Sequence, residues 1–165
     1  MFEYKNIINI INKTNLISTF KQSMTEISDS IITEYNKNPV HFYEMKNFDI
    51  SYHEWNFICW DDITIYLKFN NNSIQEFSFS WNPWQVSTAS CSLLAEMIEW
   101  KSIDEVMTRW YDTFVQQWLE VLPRRRRAVV IWLLWVRNAI HQRRKDKKPD
   151  SDEVLVEEFE DILED

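Results

Sequence analysis

Glycine is absent from all 165 residues, although ordinary usage of about 7% would place roughly a dozen in a chain of this length. Every backbone position that needs φ > 0 must therefore be avoided or carried by a residue with a Cβ, a penalty that Asn and Asp bear best. Asn70-Asn71-Asn72 is the run best suited to such a turn. Cysteine is almost as scarce. Cys59 and Cys91 are the only two, and neither lies in a Cys-x-x-Cys or zinc-finger spacing. That excludes a disulfide-built secreted domain and predicts a reducing, cytoplasmic setting. Long apolar runs are missing too: the longest, residues 128–136, falls far short of the roughly 20 residues that span a bilayer. Residues 1–23 hold no Arg and include Glu3, so they read as neither a secretory signal nor a transit peptide.

What the chain has instead is tryptophan, nine of them, and an uneven charge. The net charge is −8, but nine of the 26 acidic residues lie in 150–165, and the rest carries 18 basic against 17 acidic side chains. The acidity belongs to the tail. A body near neutrality with no recognised nucleic-acid motif predicts no nucleic-acid partner. The length suits one domain with extensions: a leader at 1–23, a body at 24–142, and a charged linker with an acidic tail at 143–165.

Periodicity sketches the body. Residues 25–36 read as a helix, with Ile27, Ile31, Ile32 and Tyr35 three to four apart and Pro39 just beyond. Ile63, Ile65, Leu67 and Phe69 alternate with polar residues, and Phe77 and Phe79 do so after the Asn turn, which predicts an antiparallel hairpin. Residues 48–52 offer a third strand. Pro83 ends the second hairpin strand because it lacks an N–H. A helix follows over 87–99. Ser102-x-x-Glu105 reads as a capping box opening the next helix, whose stripe is Ile103, Val106, Met107, Trp110, Phe114, Trp118 and Val121. The last helix covers about 125–142, with Pro123 near its first turn. The expected fold is α+β: a small antiparallel three-stranded sheet with helices packed on one face. Residues 124–148 hold ten basic side chains against Asp146 alone, so the acidic tail, with Leu155, Phe159, Ile162 and Leu163 on one rough helical face, is expected to pack on that basic segment.

Two stretches point to chemistry. Cys59-Trp60-Asp61 sets a thiol beside a carboxylate at the mouth of the hairpin, and both groups ligate zinc or iron. Ser87-x-Ala89-Ser90-x-Ser92 opens a helix, and Arg124-x-x-Arg127-Ala128 with Trp132 opens the last one. In this order, and after Asn38-Pro39, the motifs resemble the U-type iron–sulfur cluster assembly scaffolds (the NifU N-terminal domain, IscU and SufU), most of all the SufU branch, over about residues 24–142. The resemblance implies the fold above, a cysteine desulfurase as partner, and an iron–sulfur cluster or zinc as the metal. It sets the first metal-binding thiolate and sulfur acceptor on Cys59 and a ligating or tuning carboxylate on Asp61. The family's second and third cysteines fall on Trp84 and Arg127, neither of which is a ligand, and its glycines fall on Trp60, Trp81, Pro83 and Trp100.

A cluster or tetrahedral zinc wants about four N, S or O ligands, so two thiols short is a large departure. His41 and His53 are the side chains that would make up the number. Cys91, inside the Ser-rich helix, reads as a packing thiol. Two functions follow: a non-enzymatic scaffold or sulfur-transfer protein with an impaired ligand set, or a metal-free interaction domain in which Trp60, Trp81 and Trp84 form an apolar patch. No nucleophile–base set or phosphate-cradling loop points to an independent enzyme.

Overall fold

The structure, a computed structural model, describes residues 16–56, 61–81, 85–109, 111–117, 119 and 121–146, with the backbone alone at 16–21, Glu54, Asn56, Asp61, Trp81, Tyr111, Pro123 and Arg124. The order is α1 (Leu16–Lys37), β1 (Ile50–Asn56), β2 (Asp61–Asn70), β3 (Ser73–Trp81), α2 (Gln85–Ile98), α3 (Ile103–Met107), α4 (Tyr111–Gln116) and α5 (Pro123–Arg144). The strands form one antiparallel sheet in the order β1-β2-β3. The α+β class expected from the sequence is the one observed.

Strand alternation decides the two faces of the sheet. Ile63, Ile65, Leu67, Phe77 and Phe79 point inward and are fully buried, where α2 and α5 cover them. α2 is wrapped on nearly every side. Ser87, Thr88, Ala89, Ser90, Cys91, Ser92, Leu93, Leu94 and Ala95 are all buried, because α1 packs on its outer side through a row at spacing four: Met24, Ser28 and Ile32. Small side chains permit that double contact. Buried serines in a helix need partners, and Ser90 Oγ lies 2.8 Å from the Val86 carbonyl oxygen and 3.1 Å from that of Ser87, the usual back-bonding of a mid-helix hydroxyl. Cys91 is fully buried in the same core.

β3 is an outer strand, yet its free edge is closed from within the chain. The Ile74 carbonyl accepts the Trp100 N–H, and the Ile74 N–H donates to the Lys101 carbonyl at 3.0 Å. Further along, the Phe77 N–H donates to Glu99 Oε1 at 3.2 Å and the Phe79 N–H to the His41 carbonyl at 3.0 Å. Unpaired strand edges recruit other chains, and these caps prevent it here. From His41 the chain crosses the outer face as a strap over residues 41–49, burying Met45 and stacking Phe48 on Tyr66 with centroids 5.4 Å apart. It ends where the Asp49 N–H donates to the Leu67 carbonyl at 2.9 Å. The Tyr43 hydroxyl donates to Glu76 and that of Tyr35 to Glu96. Burial, with these carboxylates adding to it, pushes both phenols up to about 12.

The glycine-free chain meets φ > 0 at His41, Asn71, Trp100 and Lys145. Asn71 forms the expected hairpin turn between β2 and β3. Trp100 is the costly one: φ is 63° just past the end of α2, where glycine is the usual residue, and its side chain is 65% exposed. The indole gains little from packing there, while its Cβ carries a penalty of roughly 1–2 kcal/mol. Set against the extra unfolded-state entropy of glycine, Trp100→Gly is expected to stabilise the fold by about 0.5–1 kcal/mol, read as a higher urea midpoint at unchanged slope. An unchanged or lower midpoint would show that the left-handed turn stores no strain.

Three elements differ from the sequence reading. β1 runs four residues beyond the expected 48–52, because Tyr52↔Ile65 and Asn56↔Asp61 continue the ladder. α1 begins well before residue 25. The single helix expected after Ser102 breaks into α3 and α4, since Thr108 Oγ1 takes the Glu105 carbonyl at 2.9 Å and the Thr108 and Arg109 N–H groups bond three residues back. Such tight turns end an α-helix. Ser102 caps α3 as expected, accepting from the Glu105 N–H at 3.2 Å. The Glu105 carboxylate, though, is taken by Arg109 at 2.6 Å, a charge-assisted bond stronger than the reciprocal cap. Trp110 and Trp118 of the expected stripe lie outside the described residues; Phe114 and Val121 are buried.

Candidate functional site

The site expected from the sequence is built by one end of the sheet and the starts of two helices. β1 leaves the sheet at Asn56 and β2 enters it at Asp61, paired with each other across the ladder. β3 leaves at Trp81, opposite Ile63. Asn56, Asp61 and Trp81 therefore lie at the same end of the sheet, and α2 begins at Gln85.

The start of α5 is brought to that end by α2. Ser90 Oγ lies 3.3 Å from the carbonyl oxygen of Ala128, so the second turns of α2 and α5 touch through a small buried hydroxyl whose one proton serves one of three carbonyls. Arg127, half-buried at the start of the second turn of α5, precedes that contact by one residue. Arginines at a helix start sit near the positive pole of the macrodipole, which does not stabilise them.

Of the expected site residues, Arg127 lies near the start of α5. Asp61 is the first residue of β2, and its side chain lies outside the described residues, as do Cys59, Trp60 and Trp84 altogether. Neither histidine turns to this corner. His41 Nδ1 lies 3.3 Å from Glu99 Oε1 beside the capped edge of β3, toward the far end of α2. His53 Nε2 lies 2.7 Å from Asp62 Oδ1, on the outer face of the sheet. Among the described residues no group of three or more His, Cys, Asp or Glu could hold a metal ion.

The far end of the basic segment is engaged with the body. Arg144 Nη2 donates to Asp104 Oδ1 at 2.7 Å, and that bond, with one from Asn72, holds the Asp104 carboxyl below the usual range. The Arg143 guanidinium lies 4.0 Å over the Phe69 ring. The acidic tail expected to pack on this segment lies outside the described residues. No helix among the described residues is long and apolar enough to cross a membrane. The Ser90–Ala128 contact and the Glu99 cap were missed in the sequence. The one signal for the first was the run of small residues in α2, which a helix packed on two sides requires.

Comparison with known proteins places these features. The model of the NifU-like N-terminal domain matches residues 26–143. A comparison with curated protein sequences finds no match. Among solved structures, the N-terminal part of a NifU-like protein from Brucella abortus superposes with a TM-score of 0.63 at 16% identity, covering 75% of this chain and 99% of that one. A protein of the SUF system from Fervidobacterium islandicum AW-1, assigned as an iron–sulfur cluster assembly scaffold, gives 0.61 at 19% identity, covering 70% and 97%. A hypothetical protein gives 0.59 at 21%, again covering 70% and 97%. At these identities the structures share the fold.

Proposed function

From its membership in the family of NifU-like N-terminal domains, to which the chain belongs over residues 26–143, we propose that this protein serves iron–sulfur cluster assembly as a sulfur acceptor rather than as a holder of a complete cluster. The observation that carries the proposal is the replacement of a ligand position by Arg127 at the start of α5, the corner joined to α2 through Ser90 and Ala128. Cys59 and Asp61 supply two donors where a cluster or tetrahedral zinc takes about four, and Trp84 and Arg127 supply none. The residues present do not fit a resident metal group. They do fit an anionic sulfur, because a guanidinium and a helix N-terminus both favour a thiolate over a thiol.

In this reading the Cys59 thiolate attacks the outer sulfur of a persulfide on a cysteine desulfurase. The donor's S–S bond breaks, a new S–S bond forms on Cys59, and the desulfurase cysteine leaves as a thiolate, so no outside oxidant or reductant is needed. Asp61 tunes that thiolate through its own charge.

The experiment is mass spectrometry of the chain after incubation with a cysteine desulfurase and free cysteine. One added sulfur on Cys59 is expected, and none with Cys59→Ser. Because Cys91 is fully buried, alkylation of the native protein reports Cys59 selectively. Its pH profile should move toward higher pH in Arg127→Gln, as loss of a neighbouring cation disfavours the thiolate. A profile unmoved by Arg127→Gln removes the electrostatic argument. Absence of sulfur on Cys59 favours the metal-free interaction domain instead.

A further inference from the structure

Among the described residues the two edges of the sheet are treated differently, and this difference points to a partner. β3 has its free edge occupied at Ile74, Phe77 and Phe79 by groups of its own chain. β1 is the terminal strand on the other side. Its outward row is Ser51, His53 and Trp55, opposite Tyr66, Thr64 and Asp62 of β2. Ser51 is half-buried, while His53 and Trp55 are exposed. A seven-residue edge strand carrying an exposed tryptophan invites strand addition.

We propose that two copies of this chain associate through β1, pairing antiparallel about a twofold axis at His53 to make a continuous six-stranded sheet. The second copy is the occupant because the strand is complementary to itself. His53 is the middle residue of Ile50–Asn56, so a pivot there pairs all seven residues. That register sets Trp55, the largest side chain of the row and 44% exposed, opposite Ser51 of the other copy, the smallest. Behind Ser51 stand Tyr66, its neighbour on β2, and Phe48, stacked on Tyr66 and itself 40% exposed. Each indole therefore passes over a small residue toward Phe48, the exposed member of that pair, Tyr66 being buried, twice in the assembly. At the axis each His53 is already held by Asp62 of its own chain, which offsets the cost of setting two histidines opposite each other.

The arrangement keeps both functional corners open. Asn56 lies three residues, or about 10 Å, from the axis, and antiparallel pairing turns the two Asn56–Asp61 ends in opposite directions. One strand pair buries less than the roughly 800 Å² per partner of a standard stable interface. The association is accordingly expected in the micromolar range and to follow concentration.

Sedimentation of the full chain over a concentration series should show a monomer–dimer equilibrium with a dissociation constant on the order of 10 µM. Trp55→Lys should weaken it at least about tenfold. The register is tested by oxidation in a Cys59→Ser background, where the remaining thiol, Cys91, is buried. His53→Cys should then cross-link to a covalent dimer, since residues paired at the axis approach to about 5 Å. Ser51→Cys should not, because its copies lie four residues apart, about 13 Å. A chain monomeric up to about 0.5 mM overturns the proposal. So does a dimer that ignores Trp55→Lys, or one that cross-links equally through Ser51→Cys.

Discussion

The double variant Trp84→Cys with Arg127→Cys should retain one zinc ion per chain through gel filtration, whereas the natural sequence loses it. A four-ligand structural zinc site is worth roughly 10–16 kcal/mol in apparent binding. With two donors the chain reaches only part of that, and a guanidinium in the same corner opposes a dication. Restoring two thiolates while removing that charge should gain roughly 5–8 kcal/mol, about 10⁴- to 10⁶-fold in affinity. Each single variant should fall between. Competition against a chelator of known affinity measures the gain. The prediction supposes that Cys59, Trp84 and the start of α5 converge, a supposition supported by Asn56, Asp61 and Trp81 lying at one end of the sheet and by the Ser90–Ala128 contact between α2 and α5. A folded double variant that binds zinc no better than the parent would sink that convergence. Sulfur uptake by Cys59 in the parent would be unaffected, since it needs one thiol.

Where one residue decides a face, the sequence was readable. Ile63, Ile65, Leu67, Phe77 and Phe79 alternate because one side of the hairpin is core, and a period of two survives whatever packs on it. Asn71 was readable for another reason: without glycine, asparagine is the residue that best tolerates a left-handed turn. The strap over 41–49 left no such trace. It has no period, since its order comes from scattered contacts, such as the His41 carbonyl on Phe79 and Phe48 on Tyr66, that lie far apart in the chain. Capping of the β3 edge by Glu99 was equally hidden, because a carboxylate at a helix end looks solvated until a strand N–H is found beside it. The break after Met107 turned on one hydroxyl, Thr108 Oγ1, against an apolar stripe that would have suited a continuous helix. For the candidate corner, order along the chain carried the assignment of Cys59, Asp61, Trp84 and Arg127. Spacing alone could not, as the four positions come from connections and a helix start separated by whole strands and helices. His53 shows the same dependence on tertiary contact: near Cys59 in sequence, it pairs across the strands with Asp62.

Trp132→Ala should be the most destabilising single change in the body, and Trp132→Phe nearly harmless. Trp132 is fully buried on α5, with its ring edge-on to Trp135 at 4.8 Å and 82°. Removing so large a side chain from a packed core costs about 3–5 kcal/mol, the lost aromatic pair included. Against a total stability of about 5–15 kcal/mol, that lowers the melting temperature by roughly 10 °C for a chain of this size. Phenylalanine keeps most of the buried ring and the edge-on contact. It also discards the indole N–H, which has no hydrogen-bond partner among the described residues, so the desolvation cost of that buried donor goes with it. The expected loss for Trp132→Phe is under about 1.5 kcal/mol. Thermal unfolding followed by circular dichroism distinguishes the two, and equal destabilisation by Phe and Ala would mean that the indole N–H holds the start of α5 through a bond outside the described residues. In that case sulfur uptake at Cys59 should fall with Trp132→Phe even below its melting temperature. If Trp132 only packs, uptake at low temperature stays at the parent level in both variants.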